Sequence, residues 1–242
     1  MTSLLKGTLG WGAATVCALG ALGAVCERRF EARERRDAPP GELVNVGGHR
    51  MHINLTGKGT GPTVVLDAGL AGFSTDWTLV QREVATFARV CSYDRAGYGW
   101  SDPVPGERTS DVIVAELHKL LRHAGAPGPY LLVGHSFGGY SVRVFADRYP
   151  DEVAGLVLVD PSHEAFPDTL PPRARRRYER FDALEAPALL LSEAFARVGL
   201  VRLMFARDWL SLLDVFAPLP QAARATMMRL RAMPSFFHTA YQ

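Results

Sequence analysis

Cysteine is scarce in this chain. Its three cysteines, Cys17, Cys26 and Cys91, show no metal-ligand spacing and make no even-numbered framework, so neither a zinc site nor a disulfide scaffold is predicted. Charge of either sign is also short of an excess: 27 Lys and Arg against 25 Asp and Glu leave a net +2 over 242 residues. That balance gives no electrostatic footprint for nucleic acid, and none is predicted as a partner. No internal repeat or low-complexity tract interrupts the chain, and no metal or other cofactor is predicted. The length bounds the answer to one α/β domain with an insertion, or at most two small domains, and one domain is the better reading.

What is present first is an uncharged run. Thr8 to Cys26, "TLGWGAATVCALGALGAVC", is about the length that crosses a bilayer as a helix. The following "ERRFEARERRD" carries Arg28, Arg29, Arg33, Arg35 and Arg36, a charged stop that would leave the rest of the chain on the cytoplasmic side. A single-pass N-terminal membrane anchor is therefore predicted. The rival is a cleaved signal peptide and an exported protein, with Lys6 as a thin positive region and Ala21-Leu22-Gly23 as a weak cleavage site. A buried soluble helix is the least favoured of the three.

After a linker ending in "APPGE", strand and helix patterns alternate. "ELVNVGGHRMHINLTGKGTG" reads as a hairpin through Gly47-Gly48 that buries Val44, Val46, Met51 and Ile53. "PTVVLDAGLAG" is a continuous apolar run ending in a glycine-rich turn, as for a strand covered on both faces. Asp76 to Ala88 has a helical pattern, and "RVCSYDRAGYGWSD" gives another strand, with Cys91 buried in it, and a glycine-punctuated loop. Ser110 is predicted to cap a helix through Leu121 presenting Val112, Leu117, Leu120 and Leu121, with Gly125 just past its end. "YLLVGHSFGGYSVRVFADRYP" is strand, sharp turn and helix, stopped at Pro150, and "AGLVLVDPSHE" is one more buried strand. The connections are too long for hairpins, which predicts a parallel sheet with helices on both faces. From Ala165 the pattern is helical, Arg-rich and apolar. "APALLLSE" has the length of a strand but continues at helical spacing, so a helical cap is predicted, with the arginines at 173, 175, 176 and 177 on its solvated face.

One serine draws the chemistry together. Ser136 stands between Gly134 and Gly138 at the end of an apolar strand, where a tight turn holds a residue in a strained backbone with its hydroxyl outward. Gly134-His135-Ser136-Phe137-Gly138-Gly139, together with "DAGLAG", "YDRAGYGWSD" and "LVLVDPSHE" in that order, resembles the α/β-hydrolase superfamily over residues 42 to 165. The resemblance implies an α/β-hydrolase fold: a mostly parallel sheet flanked by helices, with an N-terminal hydrophobic helix and a helical cap. It divides the chain into an N-terminal segment and linker (1–41), a core (42–164) and a cap (165–242). It implies that Ser136 attacks an acyl carbonyl, and that the backbone N–H groups of Leu70 and Phe137 form the oxyanion hole. Asp67-Ala68-Gly69 stands where many relatives have His-Gly. Gly134, His135 and Gly138 shape the elbow, with His135 pointing away from the nucleophile. Asp94 and Arg95 read as residues that tie their loop down by hydrogen bonds.

The base is harder to find. Family order is Ser, acid, His, and only His163 and His238 follow Ser136. His163 reads as pocket-lining, and His238 lies in a helical tail without the preceding strand that a family histidine has. Asp160 is the candidate acid. The chain reads as ending within the cap, before the last strands of the fold. Two functions follow: a serine hydrolase of small apolar acyl substrates, or a non-catalytic α/β-hydrolase-like binding module lacking the catalytic histidine. Oligomeric state is left open by the sequence.

Overall fold

The computed structural model describes residues 2–34, 36, 38–207 and 218–242, with side chains from Cys17 onward. Six strands form one sheet: β1 Glu42–Asn45, β2 Arg50–Thr56, β3 Thr63–Asp67, β4 Val90–Tyr93, β5 Tyr130–His135 and β6 Val153–Val159. Their order is β1-β2-β4-β3-β5-β6. β1 and β2 pair antiparallel, β2 pairs antiparallel with β4, and β4, β3, β5 and β6 run parallel. The hairpin buries Val44, Val46, Met51 and Ile53 as the alternation predicts, and the Asn45 side chain accepts from the Gly47 and Gly48 amides to close the turn.

All five residues of β3 are buried because helices cover both faces. Val65 turns with Cys91 and Leu132 toward α3 (Ser110–His123) and α4 (Gly138–Arg148). Val64, Leu66 and Val90 turn the other way, toward Trp77 and the end of α2 (Thr78–Val84). The predicted helix from Asp76 is shorter than its pattern, a 3-10 turn over Ser74–Trp77 leading into α2. For α3 the cap is Thr109 and not Ser110: its hydroxyl accepts from the Val112 amide at 3.4 Å. Starting there, the helix buries Ile113, Val114, Leu117, Leu120 and Leu121, and Val112 faces solvent. β6 also departs from the prediction. It is the outer strand of the described sheet, and Leu156, Val157, Leu158 and Val159 are exposed where a buried strand was expected.

The cap is helical: α5 (Phe166–Thr169), α6 (Pro172–Arg197), α7 (Leu200–Ala206), α8 (Gln221–Arg231) and α9 (Pro234–Tyr241). "APALLLSE" lies inside α6, past Pro187. Met227, Leu230, Met233 and Phe236 from the cap bury Phe73 and Tyr98 of the core. Arg231 fastens this contact, reaching both Asp76 carboxylate oxygens at 3.1 Å with its guanidinium 5.4 Å from the Phe73 ring centroid.

α1 spans Thr2–Glu34 and so runs through the charged stretch that reads as linker. Its carboxylates account for this: Glu27 and Glu34 are buried against the cap, paired with Arg202 at 2.6 Å and Arg229 at 3.2 Å. Gly23 meets the Val198 carbonyl so closely that no Cβ would fit. Of the predicted membrane segment, the side chains of residues 8–16 lie outside those described. Among the described residues no helix is long and apolar enough to cross a membrane.

A further ionic pair is sealed inside the core. His52 Nδ1 lies 3.0 Å from Asp94 Oδ2 with both side chains at 0 % exposure, and His52 Nε2 meets the Pro40 carbonyl at 2.5 Å. Burial pushes the His52 pKa down, but the Asp94 carboxylate and the Pro40 carbonyl outweigh it and the net shift is upward. Burial likewise pushes Asp94 up, and His52 with the amides around it brings it below its usual value. The His52 contribution is therefore complete below about pH 6.5 and lost as pH rises through its raised folded pKa; that of Asp94 is complete above about pH 4 and lost as pH falls through its lowered one. Thermal melts from pH 4 to 9 should show the wild-type Tm falling toward alkaline pH. His52→Gln should lower the Tm at pH 6, consistent with about 3–5 kcal/mol for breaking a buried pair, and the gap between the two should narrow by pH 9. A constant gap across that range would refute the linkage.

Candidate active site

β5 delivers Ser136. The apolar Tyr130–Val133 segment packs under the helices, and the chain then reverses within two residues into α4. Ser136 has φ +49°, the left-handed region that a non-glycine residue enters only when its surroundings force it. Three backbone hydrogen bonds do the forcing: Ser136 N to Val159 O at 3.1 Å, and Ser162 N and Gly139 N to Ser136 O, both at 2.9 Å. Two glycines make room. A Cβ on Gly134 would stand 2.6 Å from the Gly138 carbonyl oxygen, and one on Gly138 would stand 2.6 Å from the Asp67 carbonyl oxygen. The elbow thus sits directly on the end of β3.

The loop after β3 borders the elbow: a Cβ built on Gly69 would lie 3.3 Å from the Ser136 Cβ. Leu70 is half exposed, and Phe137 immediately precedes α4. Among the described residues neither the Leu70 amide nor the Phe137 amide donates to a protein acceptor. His135 is exposed and meets Trp77 edge-on, with ring centroids 6.5 Å apart.

Beneath this loop lies Arg95, 3 % exposed. Its Nη1 donates to Asp67 Oδ1 and to the Ala68 carbonyl, each at 2.7 Å, and its Nη2 donates to the Gly69 carbonyl. Burial pushes the Asp67 carboxyl up against the pull of Arg95. Burial would lower the Arg95 pKa, but Asp67 outweighs it and the guanidinium stays charged. The Tyr93 and Ser141 hydroxyls also draw the Asp67 pKa down, yet Asp67 Oδ2, Tyr93 OH and Ser141 Oγ are all buried without a partner at ordinary hydrogen-bond geometry. Asp94 ties two neighbouring turns, its oxygens accepting from the Ser74 amide at 2.8 Å and the Trp100 amide at 2.9 Å.

Acid and base candidates are scattered. Asp160 follows β6, exposed and at φ +43°. His163 is exposed, its Nδ1 accepting from the Ala165 amide at 3.1 Å. His238 Nδ1 faces Glu193 Oε2 at 3.3 Å, and its Nε2 lies 3.2 Å from the Gln242 side chain. Among the described residues no histidine shares a hydrogen bond with Ser136 or Asp160, and no group of His, Cys, Asp and Glu could hold a metal. The sequence reading placed Arg95 as a loop tether but missed its counter-ion. A signal was available: an aspartate closing the fully apolar run before "AGLAG" needs a buried partner, and Arg95 closes the neighbouring strand.

Two cavities flank these elements. One of about 220 Å³ is lined by Leu70, Tyr98, Ile113 and Phe137 of the core and by Thr239 and Ala240 of α9. The larger, about 580 Å³, lies between β2, α2 and α8 and touches no elbow residue, so the smaller one is the neighbour of the serine site.

Residues 62–194 match the family model described as the alpha/beta hydrolase fold. The chain is 39% identical over 116 residues to a 2-hydroxy-6-oxononadienedioate/2-hydroxy-6-oxononatrienedioate hydrolase of Burkholderia vietnamiensis, covering 46% of this chain and 39% of that protein. It is 32% identical over 157 residues to a probable transporter, efuK, of Hormonema carpetanum, covering 62% of this chain and 22% of that one. The chain spans less than half the length of the curated relatives it matches. A solved esterase from Thermogutta terrifontis shares the fold, with a TM-score of 0.56 at 24% identity over 84% of this chain and 71% of that one.

If the elbow needs its bare glycines, Gly138→Ala should destabilise the protein by about 1–3 kcal/mol through overpacking against the β3 carbonyl. Urea unfolding with an unchanged m-value measures this, and an unaltered midpoint would contradict the contact.

Proposed function

We propose, for a chain that belongs to the alpha/beta hydrolase fold family, that it hydrolyses small acyl substrates through Ser136. One observation carries the reading: the serine is locked at φ +49° beside a loop whose Leu70 amide, like that of Phe137, has no protein acceptor among the described residues. In this mechanism Ser136 Oγ attacks the acyl carbonyl carbon and gives its proton to a base. The carbonyl π pair moves onto oxygen, and the Leu70 and Phe137 N–H groups hold that charge, each such donor supporting about 10²–10³-fold in rate. The tetrahedral species expels the protonated leaving group, and water then attacks the acyl-serine to release the acid and restore Ser136. The cavity of about 220 Å³, lined by Leu70, Ile113 and Phe137 together with Arg95 and Arg108, suits a short acyl group.

In the same proposal the N-terminal run attaches the enzyme to a membrane, a reading supported by its uncharged length and by Arg28, Arg29 and Arg33 after it. A second reading, a binding module without turnover, draws on the absence of any hydrogen bond between a described histidine and Ser136. A fluorophosphonate probe separates the two. Wild type should label and Ser136→Ala should not, and hydrolysis of p-nitrophenyl butyrate should fall about 10³-fold or more in the variant. Labelling at Ser136 without ester turnover would favour the binding module. Equal labelling of both proteins would dismiss Ser136 as nucleophile.

A further inference from the structure

We infer that Arg95, clamped by Asp67, is the positioning residue that aims the oxyanion hole, an assignment that rests on Ser136 being the nucleophile. The loop from Ala68 to Gly72 has no regular secondary structure and one backbone hydrogen bond of its own, Gly72 N to Gly69 O at 3.0 Å. Ala71 within it sits at φ +55°. The Gly72–Gly69 bond holds the Gly69 carbonyl from within the loop but supplies no anchor to the neighbouring strand ends. Arg95 supplies it, with hydrogen bonds to the Ala68 and Gly69 carbonyls and a longer one, 3.5 Å, to that of Gly72.

The decisive contact is the one to Gly69. Its carbonyl and the Leu70 N–H belong to the same peptide unit, which is trans and planar, so the two groups point to opposite sides. Holding the Gly69 oxygen inward on a buried guanidinium turns the Leu70 N–H outward, away from Arg95. The same guanidinium lies 5.3 Å from the centroid of the Phe137 ring, on the residue whose amide is the second donor. One cation therefore contacts the peptide that carries one donor and the side chain of the residue that carries the other. Asp67 fixes its rotation, since a single Nη1 bridges Asp67 Oδ1 and the Ala68 carbonyl. Lysine could supply the charge but not this planar fork, which reaches a carboxylate, three carbonyls and a ring face together.

The test uses Arg95→Lys, Asp67→Asn and, because a half-removed buried pair can compromise folding, the apolar double variant Asp67→Leu/Arg95→Met. Ser136 is titrated with the fluorophosphonate, so that kcat refers to competent sites only. Arg95→Lys and the double variant should lose about 10²-fold in titrated kcat, with KM for p-nitrophenyl butyrate within about threefold and the pH profile unmoved. Asp67→Asn should fall between them and wild type. Amide exchange at Gly72, whose N–H bonds the Gly69 carbonyl that Arg95 holds, should quicken about tenfold in Arg95→Lys while exchange in β3 and β5 holds. If the titrated kcat stays within about threefold of wild type, or Gly72 exchange is unchanged, the positioning role is overturned. Should wild type fail to label, the nucleophile reading falls, and the exchange measurement still decides whether Arg95 holds the loop.

Discussion

Everything at this site depends on how closely two backbones approach. The turn after β5 comes to rest on the end of β3 because Gly138 presents nothing between its own Cα and the Asp67 carbonyl, and Gly134 presents nothing to Gly138. That contact fixes the start of α4, and with it the Phe137 amide and the strained Ser136 between them. The strain costs of order 1–3 kcal/mol. It is sustained because β6 and the turn after it bond to both the amide and the carbonyl of Ser136, so the serine cannot relax without unpairing strand β6 from its neighbour.

The carboxyl ends of adjacent parallel strands gather the site: Asp67 from β3, Asp94 and Arg95 just past β4, and Ser136 just past β5. Polar atoms accumulate there because loops leave peptide groups unpaired, and a buried peptide group without a partner costs about 1–3 kcal/mol. Asp94 resolves two such groups as an acceptor and Arg95 resolves three as a donor. Each then needs an opposite charge, which His52 and Asp67 provide. The two ionic pairs are thus consequences of irregular loops being buried, and they sit where the fold brings its loops together.

How much of this could be read from sequence follows from the range of the interactions involved. The hairpin, the buried β3 and the elbow were legible because their signals are local: alternation around Gly47-Gly48, an unbroken apolar run, and a serine bracketed by glycines after a strand. Long-range partners hid the rest. α1 continues to Glu34 through a stretch that looks like linker because Arg202 and Arg229, distant in sequence, pair with Glu27 and Glu34. The α3 cap lies one residue earlier than predicted because Thr109 and Ser110 are both good caps in isolation, and Val112 lies off the buried stripe of Ile113, Leu117, Leu120 and Leu121. β6 has the composition of a covered strand, and no sequence pattern distinguishes a covered one from the outer strand of the described sheet.

Stability by itself does not account for Asp67 and Arg95. Desolvating both charges is expensive, and well-packed apolar residues in place of a buried ion pair are often neutral or stabilising by about 1–4 kcal/mol. What apolar side chains cannot do is accept a fixed direction from, or impose one on, a row of backbone carbonyls. A guanidinium can, and this one is placed against the carbonyls of Ala68, Gly69 and Gly72, all in the loop that faces the serine. The charge pair is therefore better explained by the orientation it imposes than by the energy it contributes, and that orientation extends along a planar peptide to the Leu70 amide beside Ser136.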